Sequence, residues 1–123
     1  MDLEKFLTPL STIFTKVDIT GANWGDVIIL SNKESSICLH YYHDDPTIIY
    51  LSGLKVNSKF RNQGKACLLL DLIEEHCKQI GMVNSCILWV LENSWMHEWY
   101  KRKGYEELKP YKRDNYIWME KLL

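Results

Sequence analysis

The chain has 123 residues, 46% of them apolar, and a formal net charge of −1. This length suits one hydrophobic core and leaves no room for a second, so we expect a single domain over residues 1–123. Because its basic character is only local, we expect no nucleic-acid partner. Residues 1–25 carry neither a basic start followed by a long apolar run nor a membrane-length apolar span, which favours a soluble, cytoplasmic protein without a membrane partner.

The first half of the chain is predicted to form one helix and three strands. In residues 2–15, apolar side chains recur every three or four positions, which predicts an amphipathic helix. Segments 26–30 and 36–42 are rich in β-branched, apolar and aromatic residues and flank a polar turn, so they predict a hairpin. A second turn, over residues 44–46, leads to a third strand at residues 47–56.

The second half alternates helices with strands. Apolar positions at helical spacing predict a helix over residues 64–80, which Gly81 ends as a cap. Residues 86–91 form a continuous apolar run that is typical of a buried strand. Because the helix at 64–80 is a crossover, this strand and the strand at 47–56 should lie side by side and parallel. The remaining elements are a helix at 94–103 and strands at 105–108 and 116–121.

The cysteines and histidines do not predict a metal site. The cysteines lie far apart in the sequence, each within an apolar stretch, which is typical of free buried thiols. They are Cys38, Cys67, Cys77 and Cys86. His40 and His43 are three positions apart in a strand-like segment, so their side chains should point to opposite faces. We therefore expect no bound metal.

Residues 54–66, with the sequence LKVNSKFRNQGKA, run from an extended apolar stretch through a basic turn into a helix start. Gly64 and Ala66 are small enough for a ligand to approach the backbone, and the first turn of the helix offers unpaired N–H donors. Basic residues concentrate here, at positions 55, 59, 61 and 65. The segment therefore predicts a polyphosphate site. It lacks the Ser or Thr and the upstream glycine of a nucleotide P-loop, which argues against phosphoryl transfer.

A second segment, residues 92–105, has the sequence ENSWMHEWYKRKGY. Asn93 is a good N-cap by its chemistry, and Gly104 stands where a helix end favours a left-handed residue. Together the two segments resemble the two motifs of the GCN5-related N-acetyltransferase (GNAT) family. The first motif is matched by Arg61, Gly64 and Ala66, preceded by Leu54, Lys55 and Val56. The second is matched by Asn93, Tyr100, Lys103, Gly104 and Tyr105.

The resemblance implies a fold of the α/β (α+β) class. Its central sheet would be mixed and mostly antiparallel, with flanking helices, and its two parallel central strands would splay apart near their C-terminal ends. The N-terminal region would be shortened, because only one helix fits before residue 26, where relatives usually have a first strand and two helices. That region normally builds the acceptor pocket, so the chain would have either an open site or a pocket completed by a second subunit.

The resemblance also implies acetyl-CoA as the cofactor. Its pantetheine arm would enter the gap between the splayed strands and pair with backbone groups near Leu54, Lys55 and Val56. Its pyrophosphate would rest on the loop that follows, which consists of Arg61, Asn62, Gln63, Gly64, Lys65 and Ala66. Asn93, Tyr100 and Lys103 complete the predicted cofactor contacts.

Tyr100 is predicted to be the general acid. A phenol with an ordinary pKa of about 10 is protonated at neutral pH and can donate to a departing thiolate. The proton of the acceptor amine needs a separate base, for which Glu92 is predicted. Alternatives are Asp45, His97 or a chain of waters. The strand before the loop offers no acid, since Tyr50, Ser52 and Leu54 are expected to share one face, with Leu51 and Gly53 on the other.

Two functions remain open at this point. The first is an acetyl-CoA-dependent N-acetyltransferase that acts on an amine, either a small cationic molecule or a peptide or protein amine. The alternative is a noncatalytic module that binds CoA or acyl-CoA for regulation or assembly, which the shortened N-terminus favours. Trp95 and Trp99 form a stripe typical of a core or of a subunit contact, so a homodimer is a further alternative.

Overall fold

The computed structural model describes residues 3–81 and 83–123. Within them the chain forms a seven-stranded sheet with three α-helices. The strands are β1 (Lys16–Ala22), β2 (Gly25–Ser31), β3 (Ser35–Tyr42), β4 (Ile48–Val56), β5 (Ser85–Leu91), β6 (Glu106–Arg113) and β7 (Tyr116–Leu122). The helices are α1 (Leu3–Leu7), α2 (Lys65–Ile80) and α3 (Trp95–Arg102), with 3₁₀ turns at Pro9–Thr12 and Ser58–Phe60. None of the helices in these residues has both the length and the apolar character needed to cross a lipid bilayer.

The strand order across the sheet is β1-β2-β3-β4-β5-β7-β6. Each neighbouring pair is antiparallel except β4 and β5, which are parallel. The exception follows from the chain path, because α2 carries the chain from the end of β4 back to the start of β5. The predicted mixed, mostly antiparallel sheet with a parallel central pair is confirmed.

All three helices pack on the same face of the sheet. One buried cluster contains Phe6 from α1, Ile73 from α2 and Tyr100 from α3, together with every second side chain of the central strands. In β3 these strand residues are Ile37, Leu39 and Tyr41. Because successive strand residues point to opposite faces, this parity places the core on one face, here called the covered face. The alternate positions form the open face, against which no described helix packs.

The predicted elements from residue 26 onward are confirmed, with small shifts at their ends. In α2 most of the apolar side chains at helical spacing are buried in the core, for example Leu70 and Cys77. Gly81 ends the helix in the left-handed region with φ 75°, and its N–H donates to the Cys77 carbonyl. The side chain of Ile80 lies outside the described residues. β6 extends to Arg113, beyond the predicted end at residue 108.

The N-terminal segment differs from the predicted single helix over residues 2–15. α1 covers only Leu3–Leu7, and a 3₁₀ turn follows at Pro9–Thr12. Pro9 has no N–H with which to continue an α-helix, which accounts for the break. Residue 2 lies outside the described part of the chain. Phe6, Leu10 and Phe14 are nonetheless buried, as their spacing indicates.

The sequence did not predict β1, and the expectation that a first strand is missing is wrong. β1 is an edge strand that pairs with β2 along its full length, and its side chains are almost all exposed. Its sequence KVDITGA therefore lacks the apolar alternation by which a half-buried strand is recognised. β1 ends at Ala22 and β2 begins at Gly25, so a short turn connects them and no helix intervenes.

Candidate functional site

The two parallel central strands separate halfway along. They pair from Ile48 with Ser85 to Leu51 with Leu88, and beyond this point they no longer pair with each other. The predicted splay is therefore present, and a cavity of about 300 Å³, here called the gap, opens there. Its walls come from both faces of the sheet. The covered side contributes Leu54, Leu88, Val90, Met96 and Tyr100, and the open side contributes Ser52, Trp89 and Tyr116.

A β-bulge in β4 shapes one wall of the gap. Two consecutive residues of β3 pair with Gly53 and Leu51, so Ser52 is an extra residue between them. The bulge shifts the alternation of β4 by one position. Leu54 consequently packs on the covered face with Leu51, and the predicted grouping of Tyr50, Ser52 and Leu54 on one face is wrong.

A second cavity, of about 410 Å³ and here called the cleft, adjoins the gap. Most residues predicted to bind the cofactor line it, namely Leu54, Lys55, Val56, Arg61, Asn62, Gly64, Lys65 and Ala66. Its opposite wall is formed by α3 through Trp95, Met96 and Trp99. Leu54 and Met96 line both cavities, so the cleft and the gap are neighbours that share part of a wall.

The loop between β4 and α2 turns sharply at the mouth of the cleft. Asn62 and Gly64 have left-handed φ values of 63° and 74°. A Cβ at Gly64 would meet no atom, so the backbone angle rather than crowding favours glycine there. Gly64 is also the N-cap of α2 and supplies no side-chain acceptor, which leaves the first N–H groups of the helix for an anion.

The loop side chains are held by local contacts. Nε of Arg61 donates to the Val56 carbonyl at 3.1 Å, which ties the loop to the end of β4. Lys65 forms an ion pair with Glu34 at 3.1 Å, so part of its charge is already compensated. Gln63 donates to a backbone carbonyl within the loop at 3.4 Å and is not among the described residues that line the cleft.

Tyr100 lies in α3 and lines the gap. Only 6% of it is exposed, and its ring packs edge-on against Trp99 and Tyr105, at centroid separations of 5.1 and 5.4 Å. Burial, together with the neighbouring Cys86, raises the pKa of the Tyr100 phenol above its usual value. The phenol is therefore protonated at neutral pH and can act only as a proton donor there.

The start of α3 differs from the prediction that Asn93 is its N-cap. Ser94 is the N-cap, and its Oγ accepts from the His97 N–H at 3.1 Å. Asn93 has a left-handed φ of 63°, and its N–H donates to Nδ1 of His97 at 2.9 Å. The other ring nitrogen, Nε2, lies 2.7 Å from the Glu107 carboxylate. Both nitrogens of this buried imidazole are engaged, which removes His97 as an alternative base.

Three of the predicted site residues, Lys103, Glu92 and Asn93, line neither cavity. Lys103 donates to Asp71 and, at 3.0 Å, to Sγ of Cys67, so it braces α3 against α2. Glu92 follows β5, and its N–H donates to a backbone carbonyl in the β6–β7 turn at 2.7 Å. Neither Lys103, Glu92 nor Asn93 is among the described residues that line the gap or the cleft.

Sequence reasoning missed the contribution of α3 to the cleft. Trp95 and Trp99 stack at a centroid separation of 6.4 Å, and Trp95 is 69% exposed, so its interpretation as core is wrong. Their spacing of four residues indicates a shared helix face. Which neighbour that face meets depends on how α3 docks on the sheet, and no local pattern encodes this.

The cysteines are free, as predicted, but they are not equally buried. Cys77 and Cys86 are buried, and burial raises the pKa of each thiol to about 12. Cys38 and Cys67 are only partly buried, which corrects the expectation for these two. Among residues 3–81 and 83–123 there is no group of three or more His, Cys, Asp or Glu side chains that could hold a metal ion.

The fold recurs in solved structures of acetyltransferases. The PaiA N-acetyltransferase from Thermoplasma acidophilum, solved in complex with coenzyme A, has a TM-score of 0.64 and 18% identity, over 98% of this chain and 69% of that chain. Ard1 from Thermoplasma volcanium has a TM-score of 0.58 and 20% identity, over 81% and 70%. A GNAT-family acetyltransferase from Listeria monocytogenes 4b F2365 has a TM-score of 0.62 and 14% identity, over 81% and 64%. Identities this low establish the fold alone.

A match at the level of sequence covers the site itself. No curated protein matches the chain, but the family model described as "Acetyltransferase (GNAT) family" matches residues 35–105. This range is more than half of the chain and runs from the start of β3 past the end of α3, so it contains both motif segments. The protein therefore belongs to the GNAT acetyltransferase family, a family that uses acetyl-CoA, and is an acyltransferase.

Proposed function

We propose that the protein is an acetyl-CoA-dependent N-acetyltransferase that acts on an amine, with residues 1–123 as one domain. The observation that carries the proposal is that the cleft adjoins the gap, since Leu54 and Met96 line both. A loop suited to phosphate lines the cleft, and the buried phenol of Tyr100 lines the gap. A ligand with a polyphosphate at one end and a thioester at the other matches this arrangement.

The backbone is proposed to make most of the cofactor contacts. The pyrophosphate would lie against the N–H groups that begin α2, where Gly64 leaves the approach open and the guanidinium of Arg61 adds charge-assisted hydrogen bonds. The pantetheine arm would lie along β4 after Leu51, because that edge no longer pairs with β5. Asn93, Gln63 and Lys103 remain predictions from the resemblance.

Tyr100 is proposed as the general acid. Acetyl-CoA supplies a thioester carbonyl that an amine can attack and a thiolate that must leave. Tyr100 can give its hydroxyl proton to that thiolate, because it lines the gap and burial keeps the phenol protonated at neutral pH. Glu92 remains a prediction for the base.

The acceptor is proposed to be a small cationic amine or a peptide amine. A carboxylate borders the open face, where Asp45 accepts from the Tyr50 hydroxyl at 3.4 Å. Because no described helix packs on this face, it leaves room for either kind of acceptor. A homodimer that completes the acceptor pocket stays a prediction.

Thermal unfolding and thiol release test the proposal. We expect acetyl-CoA to raise the melting temperature, since a ligand that binds only the folded state stabilises it by about 2.7 kcal/mol at 100 times its Kd. Free thiol should then appear when polyamines, aminoglycosides or lysine peptides are offered. Stabilisation without thiol release from any amine would indicate a noncatalytic CoA-binding module, and the absence of both would refute the proposed function.

A further inference from the structure

The open face carries an imidazole in direct contact with a wall of the gap. Nε2 of His40, in β3, lies 2.9 Å from Oγ of Ser52. Ser52 is the bulged residue of β4, and it is one of the residues that line the gap. The bulge is what creates this contact, because it adds a residue to β4 where the strand leaves β5. The pair Ser52 and His40 therefore connects the gap to the open face.

The second ring nitrogen of His40 is unusual. Nδ1 is buried and has no hydrogen-bond partner, and it is the one side-chain atom of this kind within the described residues. A buried polar atom without a partner costs about 1–3 kcal/mol, so such atoms are rare unless they serve a purpose. Oγ of Ser52 lies 2.9 Å from Nε2, and it also lies 3.4 Å from the Cys38 carbonyl, to which it can donate. In the tautomer that carries its proton on Nδ1, Nε2 can accept a hydrogen bond from the Ser52 hydroxyl.

The surroundings of His40 separate it from other charges. The groups that face it are Val27 across β2, Tyr50 across β4, Cys38 and Tyr42 along β3, and Trp24 from the turn before β2. The titratable side chains among them are thiol and phenol groups. Asp45 contacts the Tyr50 hydroxyl, and no described carboxylate forms an ion pair with His40. Nε2 contacts Oγ of Ser52 and Sγ of Cys38, and of these two residues Ser52 lines the gap whereas Cys38 does not.

The predicted bases are placed less favourably. Glu92 does not line the gap, and both ring nitrogens of His97 are engaged by Asn93 and Glu107. Tyr100 approaches the gap from the covered face and Ser52 from the open face, so a proton donor and a proton acceptor would stand on opposite sides of the thioester. This separation keeps the two proton transfers independent.

From this geometry we infer that His40 accepts the proton of the acceptor amine through the hydroxyl of Ser52, and that the amine enters from the open face. This inference rests on the proposed function. Imidazole is the side chain best suited to exchange a proton near neutral pH. Ser52 touches the reacting amine, and His40 acts through Ser52.

The proton transfers balance with water as the one further participant. Oγ of Ser52 takes one proton from the acceptor ammonium while its own hydroxyl proton moves to Nε2 of His40. A C–N bond then forms, the C–S bond of the thioester breaks, and Tyr100 gives its proton to the departing sulfur. The nitrogen loses its remaining extra proton to water, which reprotonates Tyr100. After product release, His40 returns its proton to solvent through Ser52.

The test compares His40→Gln with the unaltered protein in thiol-release assays on the most active amine of the panel. Glutamine can still hydrogen-bond Ser52 but cannot take up a proton. We expect kcat at neutral pH to fall about 10²-fold with unchanged acetyl-CoA affinity by calorimetry. The loss should shrink as pH approaches the pKa of the amine, because the amine then deprotonates without help. Ser52→Ala should behave likewise and should shift the His40 ring resonances in the NMR spectrum of the ligand-free protein.

His43→Gln is the matched control, because His43 contacts Asp26 at 3.4 Å rather than the gap, and its kcat should not change. A normal rate for His40→Gln would overturn the inference alone. So would a loss that is equal at every pH or that accompanies weaker acetyl-CoA binding, since either indicates a structural role. If the unaltered protein releases no thiol with any amine, the proposed function fails together with the inference.

Discussion

The two faces of the sheet are built from different side chains. The covered face is mainly aliphatic, and Ile28, Leu39 and Met119 are 0% exposed there. The open face carries a row of aromatic rings whose successive centroids lie between 4.5 and 6.2 Å apart. In order of contact from ring to ring, the row consists of Trp24, Tyr42, Tyr50, Trp118, Trp89 and Tyr116. Its last two members also line the gap.

The side chains of the covered face suit a role in stability, whereas those of the open face suit a role in recognition. Burial of aliphatic side chains under three helices supplies the hydrophobic free energy of folding, at about 25 cal/mol per Å². Partly exposed aromatic rings contribute less to folding, and a contiguous patch of them usually marks a contact surface. The family motifs describe the loop and α3, at the edge of the covered face. They carry no information about the open face, where the proposed acceptor site lies.

Substitution of Tyr100 tests the covered side of the gap and should have the largest effect. Tyr100→Phe keeps the buried ring and removes only the hydroxyl, so we expect kcat to fall about 10²-fold while acetyl-CoA affinity stays the same. Thiol-release kinetics and calorimetry measure the two quantities. An unchanged kcat would mean that Tyr100 is not the acid.

Tyr105→Phe is the control for Tyr100→Phe. Tyr105 packs against Tyr100, but its hydroxyl donates to the buried Glu74 carboxylate at 2.9 Å. Loss of this buried hydrogen bond should lower the free energy of unfolding by about 1–3 kcal/mol. At temperatures where the variant remains folded, its kcat should be unchanged. Together the two variants distinguish a phenol that stabilises the fold from a phenol that takes part in the reaction.

The elements that sequence predicted well are those whose signals are local. α2 has apolar positions at helical spacing and a glycine cap, and β5 is a continuous apolar run. β1 could not be recognised, because an edge strand with exposed side chains shows no alternation. The crossover rule then predicted the parallel pairing of β4 with β5 without any knowledge of contacts.

The site also contains residues with a local sequence signal and residues without one. The loop residues Arg61 and Gly64 were recognised because they form a contiguous motif, and they do line the cleft. The bulge at Ser52 depends on pairing with a distant strand, so sequence alone could not reveal that Ser52 meets His40. The position of Trp95 beside the loop likewise depends on how α3 packs on the sheet, so sequence alone could not predict it.

A glycine pair tests whether the loop binds the pyrophosphate. Gly64 and Gly81 stand at the two ends of α2 with nearly equal φ values of 74° and 75°. A Cβ on either glycine would meet no atom within 4 Å. Substitution of either by Ala should therefore lower stability by about 1–2 kcal/mol. Only Gly64→Ala should weaken acetyl-CoA binding, by about tenfold, because a displaced loop loses about 1.4 kcal/mol of anion contacts. Equal affinities for the two variants in calorimetry would place the pyrophosphate elsewhere.

The smallest expected effect compares one exposed tryptophan from each side. Trp95 is 69% exposed on the wall of the cleft, and Trp24 is 46% exposed on the open face, where it packs on Tyr42 at 5.2 Å. A cofactor lying in the cleft would cover part of the Trp95 indole, so Trp95→Ala should raise the Kd for acetyl-CoA about fivefold, equivalent to about 1 kcal/mol. Trp24→Ala should leave that Kd unchanged and raise only the KM for the amine. If each variant changes both the Kd for acetyl-CoA and the KM for the amine, the cofactor and the acceptor do not bind on separate faces of the sheet. An indole that is remote from the cofactor can change the cofactor's affinity only by disturbing the fold.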